Sequence, residues 1–263
     1  MTENNKSAWG WQERTAMLVG EAGISRFASS RVAVIGVGGV GGYAAEMLVR
    51  AGIGHILILD SDVVSASNRN RQLLALESTV GKPKCEVLKS RLLDINPSLD
   101  IVTVEKFLIA EGAVPDQGTE NESVTPALAL SEYGPDYVVD AIDTLTPKLA
   151  LIRYCMENNI PLVSSMGAGA KYDASRVRIT DISKTFQCPL AHMVRKRLGK
   201  LGIRKGFQAV FSDEVPDMSS MVIEPGRNKK SQVGTISYMP AVFGCACAQA
   251  VIKGLMDSVK DLL

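Results

Sequence analysis

Residues 31–62 constrain this chain more than any other stretch: RVAVIGVGGVGGYAAEMLVRAGIGHILILDSD. An apolar run at 32–35 meets a cluster of glycines, Gly36, Gly38, Gly39, Gly41 and Gly42. An alanine-rich, helix-like segment follows at 43–51, then a second apolar run at 56–59 that ends on Asp60. Strand, glycine turn, helix, strand, acid is the layout of a nucleotide-binding βαβ unit. The glycines let the backbone approach a phosphate, and the helix start offers free N–H groups at its positive end. Asp60 stands where a ribose hydroxyl would be held. Alone, the stretch leaves a dinucleotide and ATP equally open.

The rest of the chain repeats the alternation. Apolar runs at 101–104, 137–141 and 161–165 read as strands. Residues 83–96 and 146–158 read as helices, each with a proline in its first turn, and a helix can start at Pro126. This predicts a Rossmann-like, doubly wound α/β fold with a mostly parallel sheet. Residues 171–182 and 207–212 read as shorter, more exposed strands that extend the sheet in antiparallel fashion, and 240–259 as a closing helix. The expectation is one domain over 1–263. Its helical segment at about 11–28 precedes the first strand, and so packs on the outside or on a partner subunit. Trp9 and Trp11 are either anchors in that contact or surface aromatics.

Composition removes several classes. Net charge is only +1, so no chain-wide field points to nucleic acid. Five cysteines without framework spacing suggest reduced thiols in a cytoplasmic protein, and no CxxC pair offers a tetrathiolate zinc site. Cys85, Cys155, Cys245 and Cys247 read as small core residues. The apolar stretch at 236–252 carries Pro240 and Gly244 and reads as a buried helix, which argues against membrane association.

Three features bear on the choice of nucleotide. Asn68-Arg69-Asn70-Arg71-Gln72 follows the second strand, where arginines can reach phosphates and Arg71 can make bidentate contacts. Lys84 opens a helix, where the dipole disfavours a cation; a bound polyphosphate would reverse that penalty. Asp143 follows the fourth strand and can hold a Mg²⁺ ion that bridges phosphates, whereas Asp140 reads as structural. A pyrophosphate needs little beyond the turn. A triphosphate with its metal needs this added charge, so the set favours ATP.

Gly36-Val37-Gly38-Gly39-Val40-Gly41, Asp60-Ser61-Asp62, residues 68–72, Gly81-Lys82-Pro83-Lys84 and Asp140-Ala141-Ile142-Asp143 together resemble the ubiquitin-activating-enzyme-like adenylyltransferase superfamily. The resemblance implies that Gly36, Gly38, Gly39, Gly41, Asp60, Asp62 and Gln72 line the ATP site. It implies that Asn68, Arg71 and Lys84 contact the phosphates and that Asp143 serves Mg²⁺. It also implies a homodimer in which Arg14 enters the partner's ATP site.

The second half, with DISKTFQCPL at 181–190 and VRKRLGKLG at 194–202, is similar to the tRNA threonylcarbamoyladenosine dehydratases. That resemblance implies adenylation of the threonyl carboxylate of the modified adenosine at position 37 of tRNA, then ring closure with loss of AMP. Some relatives carry a cysteine near 231–234; its absence here argues against a sulfur-carrying or thioester step but not against adenylation, and the resemblance still leaves a sulfur-acceptor protein open as a partner. The rival is activation of the C-terminus of a ubiquitin-like sulfur carrier.

A local charge run fits tRNA. Lys184, Arg195, Lys196, Arg197, Lys200, Arg204 and Lys205 are unbroken by any acid, within a proposed substrate-binding segment of about 171–235. The same run would also suit a solvated helix face. Cys188 is the only cysteine expected near this surface.

Overall fold

A computed structural model describes residues 10–113, 122–222 and 232–260. Trp9 and, within the 171–235 segment, residues 223–231 lie outside the described residues. The strands are β1 (Arg31–Ile35), β2 (His55–Leu59), β3 (Asp100–Val104), β4 (Phe107–Leu108), β5 (Ser123–Val124), β6 (Tyr137–Asp140), β7 (Leu162–Ser165), β8 (Val177–Asp181), β9 (Gln208–Ser212), β10 (Met221–Val222) and β11 (Gln232–Val233). The helices are α1 (Glu13–Ser29), α2 (Gly41–Ala51), α3 (Lys84–Ile95), α4 (Pro126–Leu130), α5 (Leu145–Glu157), α6 (Pro189–Gly199) and α7 (Tyr238–Lys260).

Seven strands form one sheet in the order β3-β2-β1-β6-β7-β9-β8. β1, β2, β6 and β7 are almost wholly buried, as expected of near-continuous apolar runs covered on both faces. β3 alternates exposed and half-buried positions because it is an edge strand. One face buries Phe27, Leu48, Leu88, Phe243 and Val251, from α1, α2, α3 and α7. The other buries Leu130, Ile152, Val194 and Leu198, from α4, α5 and α6. The sheet is therefore doubly wound.

The second half departs from expectation in two ways. The antiparallel extension forms as expected, β8 against β9, but β9 is not exposed. It pairs parallel to β7 and is buried, because it sits between β7 and β8. Within the seven-stranded sheet, only β8 against β9 is antiparallel. Cys245 is exposed, not a core residue, while Cys247 two positions on is fully buried; alternate positions on a helix point to different sides.

α7 satisfies the length and hydropathy of a membrane span over Tyr238–Asp257, and half of that stretch is buried inside the fold against α2 and the sheet. α1 packs on α7. It is broken at Gly20, whose φ of 71° leaves the helical region.

Candidate active site

The chain runs outward from β1 through β2 to β3, then returns to place β6 on the other side of β1. This makes the β1/β6 boundary the topological switch point, and the crevice beyond their carboxyl ends is the expected ligand site. The turn after β1 and the turn after β6 meet there. Gly36 has φ 87°, and a Cβ on it would lie 2.9 Å from the Ala141 carbonyl oxygen. A Cβ on Gly41 would lie 1.7 Å from the Gly36 carbonyl oxygen. These two glycines allow the turn to fold back on itself. α2 then starts at Gly41 with no side-chain cap; the Gly42 N–H bonds the Gly38 carbonyl at 3.1 Å, and the positive end of the helix faces the crevice.

Asp60 closes the floor. Its carboxylate accepts the Val37 N–H at 2.8 Å and the Asp62 N–H at 2.9 Å, so the glycine turn and the end of β2 share one anchor. Burial raises the Asp60 carboxyl above its ordinary range, against the opposing pull of Lys84. Lys84 is itself buried; its ammonium lies 2.6 Å from Asp62 Oδ2 and 3.9 Å from Asp60 Oδ1. Two carboxylates therefore already offset the penalty of a cation at the start of α3, and a polyphosphate is not required to explain the lysine.

The 68–72 cluster packs above this floor. The Asn68 carbonyl accepts the N–H groups of Arg71 and Gln72, and its side chain accepts from Ser65 N–H at 3.1 Å. The Arg71 guanidinium donates to Ser67 O at 3.1 Å and Asn70 Oδ1 at 2.8 Å. Asn70 donates to Thr235 O at 3.0 Å, tying the cluster to the entry of α7. Gln72 faces the turn: a Cβ on Gly38 would lie 3.5 Å from its Nε2. Gln72 Oε1 is buried with no hydrogen-bond partner. The Gln72 amide, with Nε2 toward Gly38, thus walls one side of the glycine cradle that would take a nucleotide.

The β6 turn carries a buried network. Lys148 and Asp140 are fully buried and 2.7 Å apart. Lys148 also donates to Ser165 O at 2.9 Å and contacts Ser164 Oγ at 3.2 Å, while Ser164 Oγ donates to Asp140 Oδ2 at 2.6 Å. Asp140 Oδ1 accepts the Ile142 N–H at 3.1 Å, one residue before the exposed Asp143. Asp140 is thus structural, as expected. Lys148 was not foreseen, although the sequence held a signal: Pro147-Lys148 repeats Pro83-Lys84 in the first turn of a helix that follows an acid-terminated strand. Among the described residues no group of three or more His, Cys, Asp or Glu is arranged to hold a metal. A magnesium ion needs no such cage, since one carboxylate and the phosphates suffice.

Burial pushes the thiols of Cys85, Cys155 and Cys247 up to about 12, so none supplies a thiolate at neutral pH. Cys188 is buried as well.

Two sets of expected residues lie away from the crevice. Arg14 is exposed near the start of α1. Its neighbour Gln12 abuts Gly52, at the far end of α2 from the glycine turn. Within one chain it is not brought to the site. The basic run is also displaced. α6 precedes β9, a strand parallel to β7, so its C-terminus points to the amino ends of the strands, opposite the crevice. Gly206 N–H bonds Asp181 at the end of β8, and Ile182 N–H bonds Phe207 O, which gathers Lys184, Lys200, Arg204 and Lys205 there. Lys196 and Arg197 are exposed on the last turn of α6; Arg195 is half-buried and bonds the Thr185 hydroxyl.

A model of the ThiF family matches residues 12–261. The chain is 40% identical to a tRNA threonylcarbamoyladenosine dehydratase of Bacillus subtilis (strain 168), over 95% of this chain and 94% of the relative. It is 37% identical to the dehydratase of the same name from Escherichia coli (strain K12), over 94% of each. Among solved structures, that of the E. coli tRNA N6-threonylcarbamoyladenosine dehydratase in complex with ATP superposes with a TM-score of 0.80 at 36% identity, over 95% of this chain and 97% of that one.

Proposed function

This chain belongs to the ThiF family, and from that premise we propose that it is an ATP-dependent tRNA threonylcarbamoyladenosine dehydratase. The end-to-end likeness to dehydratases carries this reading, because it spans both the nucleotide crevice and the basic second half. The reaction has two steps. The threonyl carboxylate of the modified adenosine attacks the α-phosphorus of ATP, forming an acyl–phosphate bond as pyrophosphate leaves. A nucleophile within the same modified nucleoside then attacks the acyl carbon and expels AMP. Neither step needs an enzyme nucleophile, in keeping with the high thiol pKa values.

The residues have the following roles. Gly36, Gly38, Gly39 and Gly41 admit the phosphates to the turn and the start of α2. Asp60 holds the ribose, and Gln72 lines the glycine cradle of the ATP site. Lys84, Arg71 and Asn68 stabilise the charge that builds on the phosphates, with Asp62 holding Lys84 toward them. Asp143 would hold a magnesium ion, which would neutralise phosphate charge. Arg14 of a second copy completes the site in a homodimer; the distance of Arg14 from its own crevice supports this. Lys184, Arg195, Lys196, Arg197, Lys200, Arg204 and Lys205 grip tRNA phosphates. We also assign the protein to the cytoplasm, consistent with its free cysteines among the described residues. A sulfur-acceptor partner has no support in the residues described.

Pyrophosphate release from ATP, measured with and without tRNA that bears threonylcarbamoyladenosine, tests the assignment. Release that requires the modified tRNA and fails in Lys84→Ala is expected. Release triggered by a ubiquitin-like carrier and not by tRNA would overturn it.

A further inference from the structure

We propose that Lys148 is a positioning residue: its buried pair with Asp140 sets the turn that aims Asp143 at the nucleotide. This rests on the functional reading above, in which Asp143 serves Mg²⁺. Lysine and aspartate with no exposure at all are a costly choice. Desolvating both charges is recovered only if geometry is good and the remaining donors and acceptors are filled. Here they are: Lys148 reaches Asp140, Ser164 and Ser165 O, and Asp140 also accepts from Ser164 and from Ile142 N–H.

The network sits where its order matters. Asp140 is the last residue of β6 and pairs with Ser164 in β7, so Lys148 clamps two strand ends from the first turn of α5. The next residue, Ala141, is wedged into the glycine turn. Its N–H bonds Ile35 O at 2.9 Å, its carbonyl oxygen abuts Gly36, and its Cβ would be 3.2 Å from a Cβ on Gly41. The Asp140–Ile142 bond then fixes the direction in which the chain leaves toward Asp143. A purely structural clamp could be apolar at equal stability. An apolar pair could not orient the Ile142 N–H, and with it the carboxylate one residue on.

The test is ATP affinity by titration calorimetry, without tRNA, in magnesium and in EDTA, for wild type, Asp143→Ala, Lys148→Met and Ser164→Ala. Wild type should bind more tightly with magnesium, and Asp143→Ala should lose that gain. Lys148→Met should lose roughly tenfold of it while its affinity in EDTA stays near wild type, the scale of one misaligned charge-assisted contact. Ser164→Ala, a milder change, should lose part of the gain and covers the case in which Lys148→Met does not fold. If Asp143→Ala loses the gain and both network variants keep it, the inference is overturned. It is also overturned if they lose EDTA affinity and cooperative unfolding in proportion, which marks a structural clamp. A wild type with no magnesium gain would instead refute the Asp143 assignment beneath it.

Discussion

The five glycines of the first turn look alike in sequence, and the structure predicts opposite outcomes for two of them. In Gly41→Ala the new Cβ would stand 1.7 Å from the Gly36 carbonyl oxygen and 3.2 Å from Ala141 Cβ. Ordinary contact requires the half-buried Gly36 backbone to retreat by about 1.7 Å, which would distort the turn and its contact with Ala141. Overpacking of this kind costs about 3 kcal/mol, well above the roughly 1 kcal/mol that alanine gains in helix propensity. In Gly38→Ala the Cβ meets Gln72 Nε2 at 3.5 Å and Cδ at 3.9 Å, both ordinary contacts, and φ is not positive. The fold should be unchanged or stabilised by about 0.5 kcal/mol through the unfolded chain. The methyl group, however, stands in the cradle between turn and Gln72. Loss of ligand contact in that cradle, on the scale of one neutral hydrogen bond, should weaken ATP binding by roughly three- to tenfold. Urea denaturation and calorimetric ATP titration separate the two. A Gly41→Ala protein as stable as wild type, or a Gly38→Ala protein that loses stability but keeps ATP affinity, would refute the argument.

Glu46 on α2 accepts from Arg50 at 2.8 Å and from Arg91 Nη2 at 3.3 Å, joining α2 to α3. Burial pushes its carboxyl up, but the arginine hydrogen bonds outweigh burial and hold it below the ordinary value of 4.5. A depressed folded value means stability that is present above the unfolded pKa and lost as pH falls through the folded one. Glu46→Gln should therefore be less stable than wild type at pH 7 by urea denaturation, with the gap closing below about pH 4. For the basic surface, Lys196→Ala/Arg197→Ala/Lys200→Ala should raise the KM for tRNA and flatten its salt dependence by about one unit of log–log slope per lost phosphate contact. ATP affinity without tRNA should not change; if it falls, the cluster does not act at a distance from the crevice.

The alternation of apolar runs and helical segments was legible from sequence because each buried strand and amphipathic helix advertises its period locally. So were the glycine turn and Asp60, whose spacing along the chain is short. The reading failed where a property belongs to neighbours. β9 is buried because β7 and β8 flank it, and nothing within Gln208–Ser212 says so. Cys245 and Cys247 differ only in which way α7 turns them.

The sequence by itself determined the nucleotide-binding frame and its inventory of charges: Asp60, Arg71, Lys84 and Asp143 follow strand ends in order, and local grammar places strand ends. Only the tertiary structure decided what each charge faces. It paired Lys84 with Asp62, joined Lys148 to Asp140 inside the protein, set the Gln72 amide against Gly38, and carried the basic run to the end of the sheet opposite the crevice. The physical reason is distance. Local sequence sets the conformation of a few neighbouring residues, whereas ion pairs and clefts join different elements, some eight positions apart as Lys148 and Asp140 are and others many tens, brought together only when helices pack on the sheet.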